Sequence, residues 1–162
     1  MFSDAIANLA KNLLEAARIA GLHVATAESC TGGLIAGALT AIPGSSDVVD
    51  RGFVVYTNLA KTELLGVPRA LIAQHGAVSE EVACAMAEGA IKHSRAQLAV
   101  SCTGIAGPGG ATPGKPVGLV HLAAAREGHT TLHAECRFGD IGREKVRLRS
   151  VEEALKLLFQ IL

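Results

Sequence analysis

Beyond Gly21 the chain switches repeatedly between two hydrophobic periods, and that alternation limits the folds open to it. The apolar runs "LHVATAES", "RGFVVYT", "AQLAVSCTG", "PVGLVHLAAAR" and "TTLHAECRF" read as strands. Between the first three lie "TGGLIAGALTAI", "NLAKTELLGV", "PRALIAQHG" and "SEEVACAMAEGAIKHS", where apolar residues recur at helical steps. The central strands are almost continuous Val, Leu and Ala, as strands covered on both faces are. This order predicts an α/β fold, a three-layer αβα sandwich with a mixed, mostly parallel sheet. The later strands follow one another without a helix, which is where the mixed character enters.

Helices close both ends of this series. In "MFSDAIANLAKNLLEAARIAG" the residues Phe2, Ile6, Leu9, Leu13, Ala17 and Ala20 form one apolar stripe, Ser3 caps the start and Gly21 supplies the stop. Asp4, Lys11, Glu15 and Arg18 interrupt it, so it reads as a folded helix rather than an export signal. Ser79 opens a second capped helix, and "GREKVRLRSVEEALKLLFQIL" forms the last. No uncharged apolar run approaches the ~18 residues of a membrane span. With 162 residues, 49% of them hydrophobic, and no linker or repeat, the chain is expected to form a single domain over residues 1–162.

Charge excludes some partners. Fifteen basic and fifteen acidic residues cancel, and one tyrosine, four phenylalanines and no tryptophan offer little for base stacking, so no nucleic-acid partner is expected. Cys30, Cys84, Cys102 and Cys136 are widely spaced without a C-x-x-C pair, the usage of reduced thiols in a cytoplasmic protein.

Two glycine-bearing loops claim the chemistry. "AESCTGG", Ala27 to Gly33, leaves a strand and enters a helix, so its backbone N–H groups and the hydroxyls of Ser29 and Thr31 either receive an anion or simply cap the helix. "SCTGIAGPGG", Ser101 to Gly110, also follows a strand, and its glycines let a ligand approach the main chain. Neither is a G-x-G-x-x-G or a Walker A sequence. Ligands of open α/β sheets bind outside the strand carboxyl ends, so both loops point to one crevice.

A third segment, "GSSDVVDRGFVVYTNLAK", adds reactive groups. Asn58 is expected to cap the following helix, which puts Lys61 near its positive end, where a partly desolvated amine loses proton affinity and becomes a base. Ser46 is the expected nucleophile, relieved of its proton by Lys61 directly or through Tyr56, and Ser29 is the competing choice. Spacing alone favours Lys61 as a solvated helix residue and Tyr56 as a strand residue with its hydroxyl at the rim. A zinc site built from His121, His129, His133 and Glu135 is the weaker reading, because strand histidines beside an acid usually just hydrogen-bond.

"TAESCTGG", "GFVVYTNLAK", "LLGV", "QHGAVSEEVA" and "TGIAGPGG" followed by "KPVG" resemble, in order and spacing, the motifs of the CinA C-terminal domain family. The resemblance runs from about Leu22 through Arg147. That family's stand-alone members include nicotinamide-nucleotide amidases of the PncC type. The resemblance implies hydrolysis of the carboxamide of nicotinamide mononucleotide to nicotinic acid mononucleotide and ammonia, with no metal and no cofactor. It implies Ser46 as nucleophile, Lys61 as base and Tyr56 as relay. Ser29, Thr31, Gly32, Gly33, Thr103, Gly104 and Gly107 would line the substrate pocket. Arg143, with Arg147 as alternate, would reach the ligand from the last helix. It also implies a homodimer or higher homo-oligomer. The family's longer members carry an N-terminal domain that this sequence does not contain. A non-catalytic nucleotide-binding module, acting through a protein partner, is the reading of another class.

Overall fold

The computed structural model describes residues 1–162. Its elements are α1 (Asp4–Ala20), β1 (Val24–Glu28), α2 (Leu34–Thr40), β2 (Val49–Val54), α3 (Asn58–Leu65), α4 (Arg69–His75), α5 (Glu80–Lys92), β3 (Leu98–Gly104), β4 (Leu119–Arg126), β5 (Leu132–Arg137) and α6 (Arg143–Ile161). A short 3₁₀ turn, Ser45–Asp47, precedes β2.

The strands form one sheet in the order β2-β1-β3-β4-β5. β1 is parallel to both β2 and β3, while β4 is antiparallel to β3 and to β5, so β4 alone runs against the other strands. The expected sandwich and mixed sheet are therefore both present. The parallel half arises where a helix returns the chain between strands; the antiparallel half arises where Ile105 to Gly118 and then a short turn make the connections.

Side-chain alternation sorts the core into two layers. Val24, Leu98, Val100, Cys102, Val120, Leu122 and Ala124 face α1, α2 and α6, which supply Leu13, Leu14, Ile35, Leu39, Leu155 and Leu158. Ala25, Ala27 and Ala99 face the other way, against Leu65, Ile72, Val82 and Met86 of α3, α4 and α5. The sheet offers smaller side chains to the second interface, and within that layer α5 packs closely on the end of α3. A Cβ added at Gly89 of α5 would lie 2.2 Å from the Leu65 carbonyl oxygen.

The capping signals are read by the fold. Ser3 Oγ accepts from the Ile6 amide, the chain leaves α1 through Gly21 at φ 69°, and Ser79 Oγ accepts from the Val82 amide. At α3 the cap is Thr57, whose Oγ1 accepts from the Ala60 amide at 3.1 Å, rather than the expected Asn58. β2 also ends at Val54, so Tyr56 lies in the connection and not in the strand. No helix is long and apolar enough to cross a membrane.

Candidate active site

The site begins with the alternation along β1. Glu28 ends the strand on the α2 side, where its carboxylate accepts from the amides of Gly33, Ile35 and Ala36 at 2.8–3.1 Å. A fully buried carboxylate is tolerable there because three N–H groups at a helix start replace its water. The next residue, Ser29, turns to the opposite face.

There it meets Lys61. β1 and β2 pair in parallel with Glu28 opposite Val54, so the residues just beyond the two strands, Ser29 and Val55, are brought side by side. Lys61, in the second turn of α3, is only 1% exposed. Its Nζ lies 3.2 Å from Ser29 Oγ, 3.1 Å from the Val55 carbonyl and 3.4 Å from the Tyr56 carbonyl. Burial pushes the Lys61 amine below its ordinary value, against a smaller opposing pull from Cys30. In the neutral amine two N–H groups serve the two carbonyls, leaving the lone pair for the Ser29 hydroxyl proton.

Ser46 is not brought to this amine. It sits exposed on the 3₁₀ turn at the amino end of β2, whereas Lys61 is beyond the carboxyl end. A strand of this length separates the two by roughly 20 Å at ~3.3 Å per residue. The expected Ser46–Lys61 contact is thus corrected to Ser29–Lys61.

Tyr56 is 59% exposed, and its hydroxyl accepts from Arg143 Nη2 at 3.1 Å. Arg143 Nη1 donates to the Gly107 carbonyl at 2.9 Å, so this arginine joins the β2–α3 connection to the second glycine loop. Arg147, one turn on, donates to the carbonyls of Cys30 and Thr31, both at 3.1 Å. Thr31 is wholly buried. Gly32 and Gly33 carry the loop through φ 58° and 97°. The amides of Ser29, Gly32, Gly33 and Leu34 have acceptors in the chain, and those of Cys30 and Thr31 have none.

The second loop contributes less than its sequence promised. Thr103 Oγ1 is turned to the Ala77 carbonyl at 2.8 Å. A Cβ on Gly104 would come within 2.8 Å of the Leu119 carbonyl, so close strand approach explains that glycine. One on Gly107 would strike Val117 at 2.7 Å. A cleft of about 220 Å³ does open beside this loop, lined by Ile105, Gly110, Thr112, Lys115 and Gly76 to Val78. Lys115 closes one side through a bond to the His75 carbonyl. A hollow of about 330 Å³ between α3 and α4, lined by Leu59 and Ile72 among others, includes none of these site residues.

Three features escaped sequence reasoning. Glu28 carried a signal, a lone acid in an apolar strand five residues before a glycine-led helix. The Arg147 contacts carried none. Nor did the Cys30–Cys102 pair, whose sulfurs lie 3.5 Å apart across β1 and β3. Either thiol can donate, and the contact between them holds Cys30 below the usual thiol range and Cys102 well above it. Of the residues in the zinc reading the fold keeps His121, His133 and Glu135 together, with His121 Nε2 3.8 Å from Glu135 Oε1, and takes His129 away. His121 Nδ1 and His133 Nε2 bond each other at 2.9 Å, while exposed His129 turns to the Glu127 carbonyl.

Fold and site together define a three-layer α/β domain that buries a lysine amine against a serine hydroxyl at the carboxyl edge of a mixed sheet. The chain belongs to the CinA C-terminal domain family, whose sequence model matches residues 6–162. It is 45% identical to the protein named nicotinamide-nucleotide amidohydrolase PncC of Escherichia coli strain K12, over 99% of this chain and 96% of that one. It is 52% identical to a CinA-like protein of Anaeromyxobacter sp. strain Fw109-5, over 98% of this chain. The chain spans 39% of the length of that relative, as it spans only part of other CinA-like proteins. Among solved structures, the competence/damage inducible protein CihA of Agrobacterium tumefaciens superposes with a TM-score of 0.97 at 54% identity, covering 99% of this chain and 98% of that one.

Proposed function

We propose that the protein is an amidohydrolase that cleaves the carboxamide of nicotinamide mononucleotide, releasing ammonia and nicotinic acid mononucleotide, with Ser29 as nucleophile and Lys61 as general base. The observation that carries this is the buried amine 3.2 Å from the Ser29 hydroxyl. A binding module has no use for a desolvated amine aimed at an alcohol, whereas a serine must be relieved of its proton to attack an amide. The name of the Escherichia coli relative supports the same substrate.

In this mechanism the Ser29 Oγ–H proton passes to Lys61 as Oγ bonds to the carboxamide carbon, and the carbonyl π pair moves onto oxygen. The unpartnered amides of Cys30 and Thr31 are the donors nearest this oxyanion in sequence. Collapse of the adduct breaks the C–N bond, and the proton held by Lys61 leaves with ammonia. Water, deprotonated by the same amine, then attacks the acyl-serine; the ester C–O bond breaks, Lys61 returns the proton to Ser29 Oγ, and the carboxylic acid released loses its own proton to solvent. The two carbonyls on Lys61 hold the lone pair of the neutral amine in one direction, which is the orientation component of the rate. The charge on Arg143 suits the nucleotide phosphate, and the free thiols suit a cytoplasmic protein.

Incubation with nicotinamide mononucleotide, with ammonia and the acid product followed together, tests the reaction. Equal release of both is expected, and none from Ser29→Ala. Tight binding of the mononucleotide with no ammonia would reduce the site to a binding module.

A further inference from the structure

Arg147 has no part in the steps above, yet it is committed to the loop that performs them. Its Nε donates to the Cys30 carbonyl and its Nη2 to the Thr31 carbonyl, each at 3.1 Å. These are the second and third peptide carbonyls counted from Ser29. The guanidinium reaches them over Gly32, where an added Cβ would lie 3.2 Å from Nη2.

The direction of these bonds matters because a trans peptide sets its N–H antiparallel to its C=O. The single cis bond of the chain is elsewhere, at Gly107-Pro108. Arg147 belongs to α6, which packs on the face of the sheet opposite to α3. Drawing the Cys30 carbonyl toward α6 therefore turns the Thr31 N–H the other way, toward the side that holds Ser29 and Lys61. That N–H has no acceptor in the chain, although Thr31 is buried. A cation on the carbonyl end of a peptide also strengthens its N–H as a donor.

We propose, resting on the serine–lysine reading above, that Arg147 is a positioning residue that aims and polarises the Thr31 amide to receive the oxyanion formed when Ser29 attacks. The role differs from that of Arg143, which bonds the Tyr56 hydroxyl and Gly107 and not the nucleophile loop. An oxyanion donor acts on the transition state and not on the bound substrate, so its loss falls on kcat.

Steady-state kinetics on the full chain with nicotinamide mononucleotide, over a range of pH, test this with Arg147→Met, Arg147→Lys and Lys61→Ala. Arg147→Met is expected to lower kcat about 100-fold, with KM within about threefold of the parent and the acid limb of the kcat profile unmoved. Arg147→Lys, which keeps a cation but has a single donor nitrogen in place of the fork, is expected to fall between Arg147→Met and the parent. A parental kcat in Arg147→Met, a loss confined to KM, or a displaced acid limb would overturn the proposal. If Arg147→Met does not fold, Arg147→Lys decides alone: a reduced kcat at unchanged KM supports the role, and a parental kcat refutes it. Lys61→Ala keeps the two readings apart. Turnover in that variant would sink the serine–lysine mechanism itself, whereas a dead Lys61→Ala beside a fully active Arg147→Met sinks only the role of Arg147.

Discussion

At the amino end of β2 the hydroxyl of Ser46 stands in water on a 3₁₀ turn, whereas at the carboxyl end the amine of Lys61 is enclosed against the hydroxyl of Ser29. The two serines are the same chemical group in two environments. A hydroxyl in solvent has water to hydrogen-bond and nothing to deprotonate it. One beside a desolvated amine has a base whose proton affinity has been lowered toward the working range. The difference in environment follows from where the parallel sheet returns the chain, and the carboxyl edge is the side where β1, β2 and β3 all end.

The strongest way to break this contrast is to remove the amine. Lys61→Met fills the same apolar space but leaves Ser29 without a base, and turnover is expected to fall by about 10⁴-fold or more. In the parent protein the proposed activity is likewise expected to fall, in kcat, as pH drops and Lys61 takes up a proton. Stability carries the same signature. The folded-state affinity of Lys61 for a proton lies below its unfolded value of 10.5, so between those two values the unfolded chain binds the extra proton and stability rises with pH. The melting temperature of the parent minus that of Lys61→Met is therefore expected to grow as pH is raised from neutral toward 10.5, the value in the unfolded chain. A difference that is flat over this range would mean that the amine is hydrated and ordinary.

Tyr56→Phe sharpens the comparison at intermediate size. The tyrosine lies at the reactive end of β2, but its hydroxyl is engaged by Arg143 and its ring is largely in solvent. Its backbone carbonyl, which the substitution retains, is the part that touches Lys61. A loss of about 10-fold in kcat/KM is expected, below the 10²–10⁴ of a group that transfers the proton itself. A larger loss would restore Tyr56 to the relay role.

Much of the fold was legible because period and capping are local. The strand–helix alternation, the Ser3 and Ser79 caps and the Gly21 stop can each be read within a few residues, and each is present. The position of Lys61, a few residues into the helix that follows β2, was legible for the same reason. Its partner was not, because the Ser29–Lys61 contact depends on the parallel register of β1 with β2 across 32 positions of sequence. Spacing favoured Ser46, fifteen residues before Lys61, and sequence proximity misleads when a strand stands between two groups and holds them apart. Thr103 and Gly104 show the converse error. Hydroxyls and glycines beside a loop resemble a ligand cradle, yet here they serve the Ala77 carbonyl and the close approach of β4.

Ser46→Ala is the smallest expected effect and the cleanest test of the contrast from its quiet end. The side chain is exposed, and the 3₁₀ turn that carries it is held by main-chain bonds from the Asp47 amide to the Gly44 carbonyl and from the Val48 amide to the Ser45 carbonyl. Arg18 fastens the same turn from α1, bonding both the Asp47 carboxylate and the Gly44 carbonyl. None of these contacts uses the Ser46 hydroxyl, so kcat/KM is expected to stay within about twofold of the parent and stability within ~0.5 kcal/mol, as for surface substitutions away from special features. A thousandfold loss in Ser46→Ala, with Ser29→Ala still turning over, would reverse the assignment of the nucleophile. It would require that the serine act on a substrate bound against the amino edge of the sheet, where within this chain the Lys61 amine does not reach it.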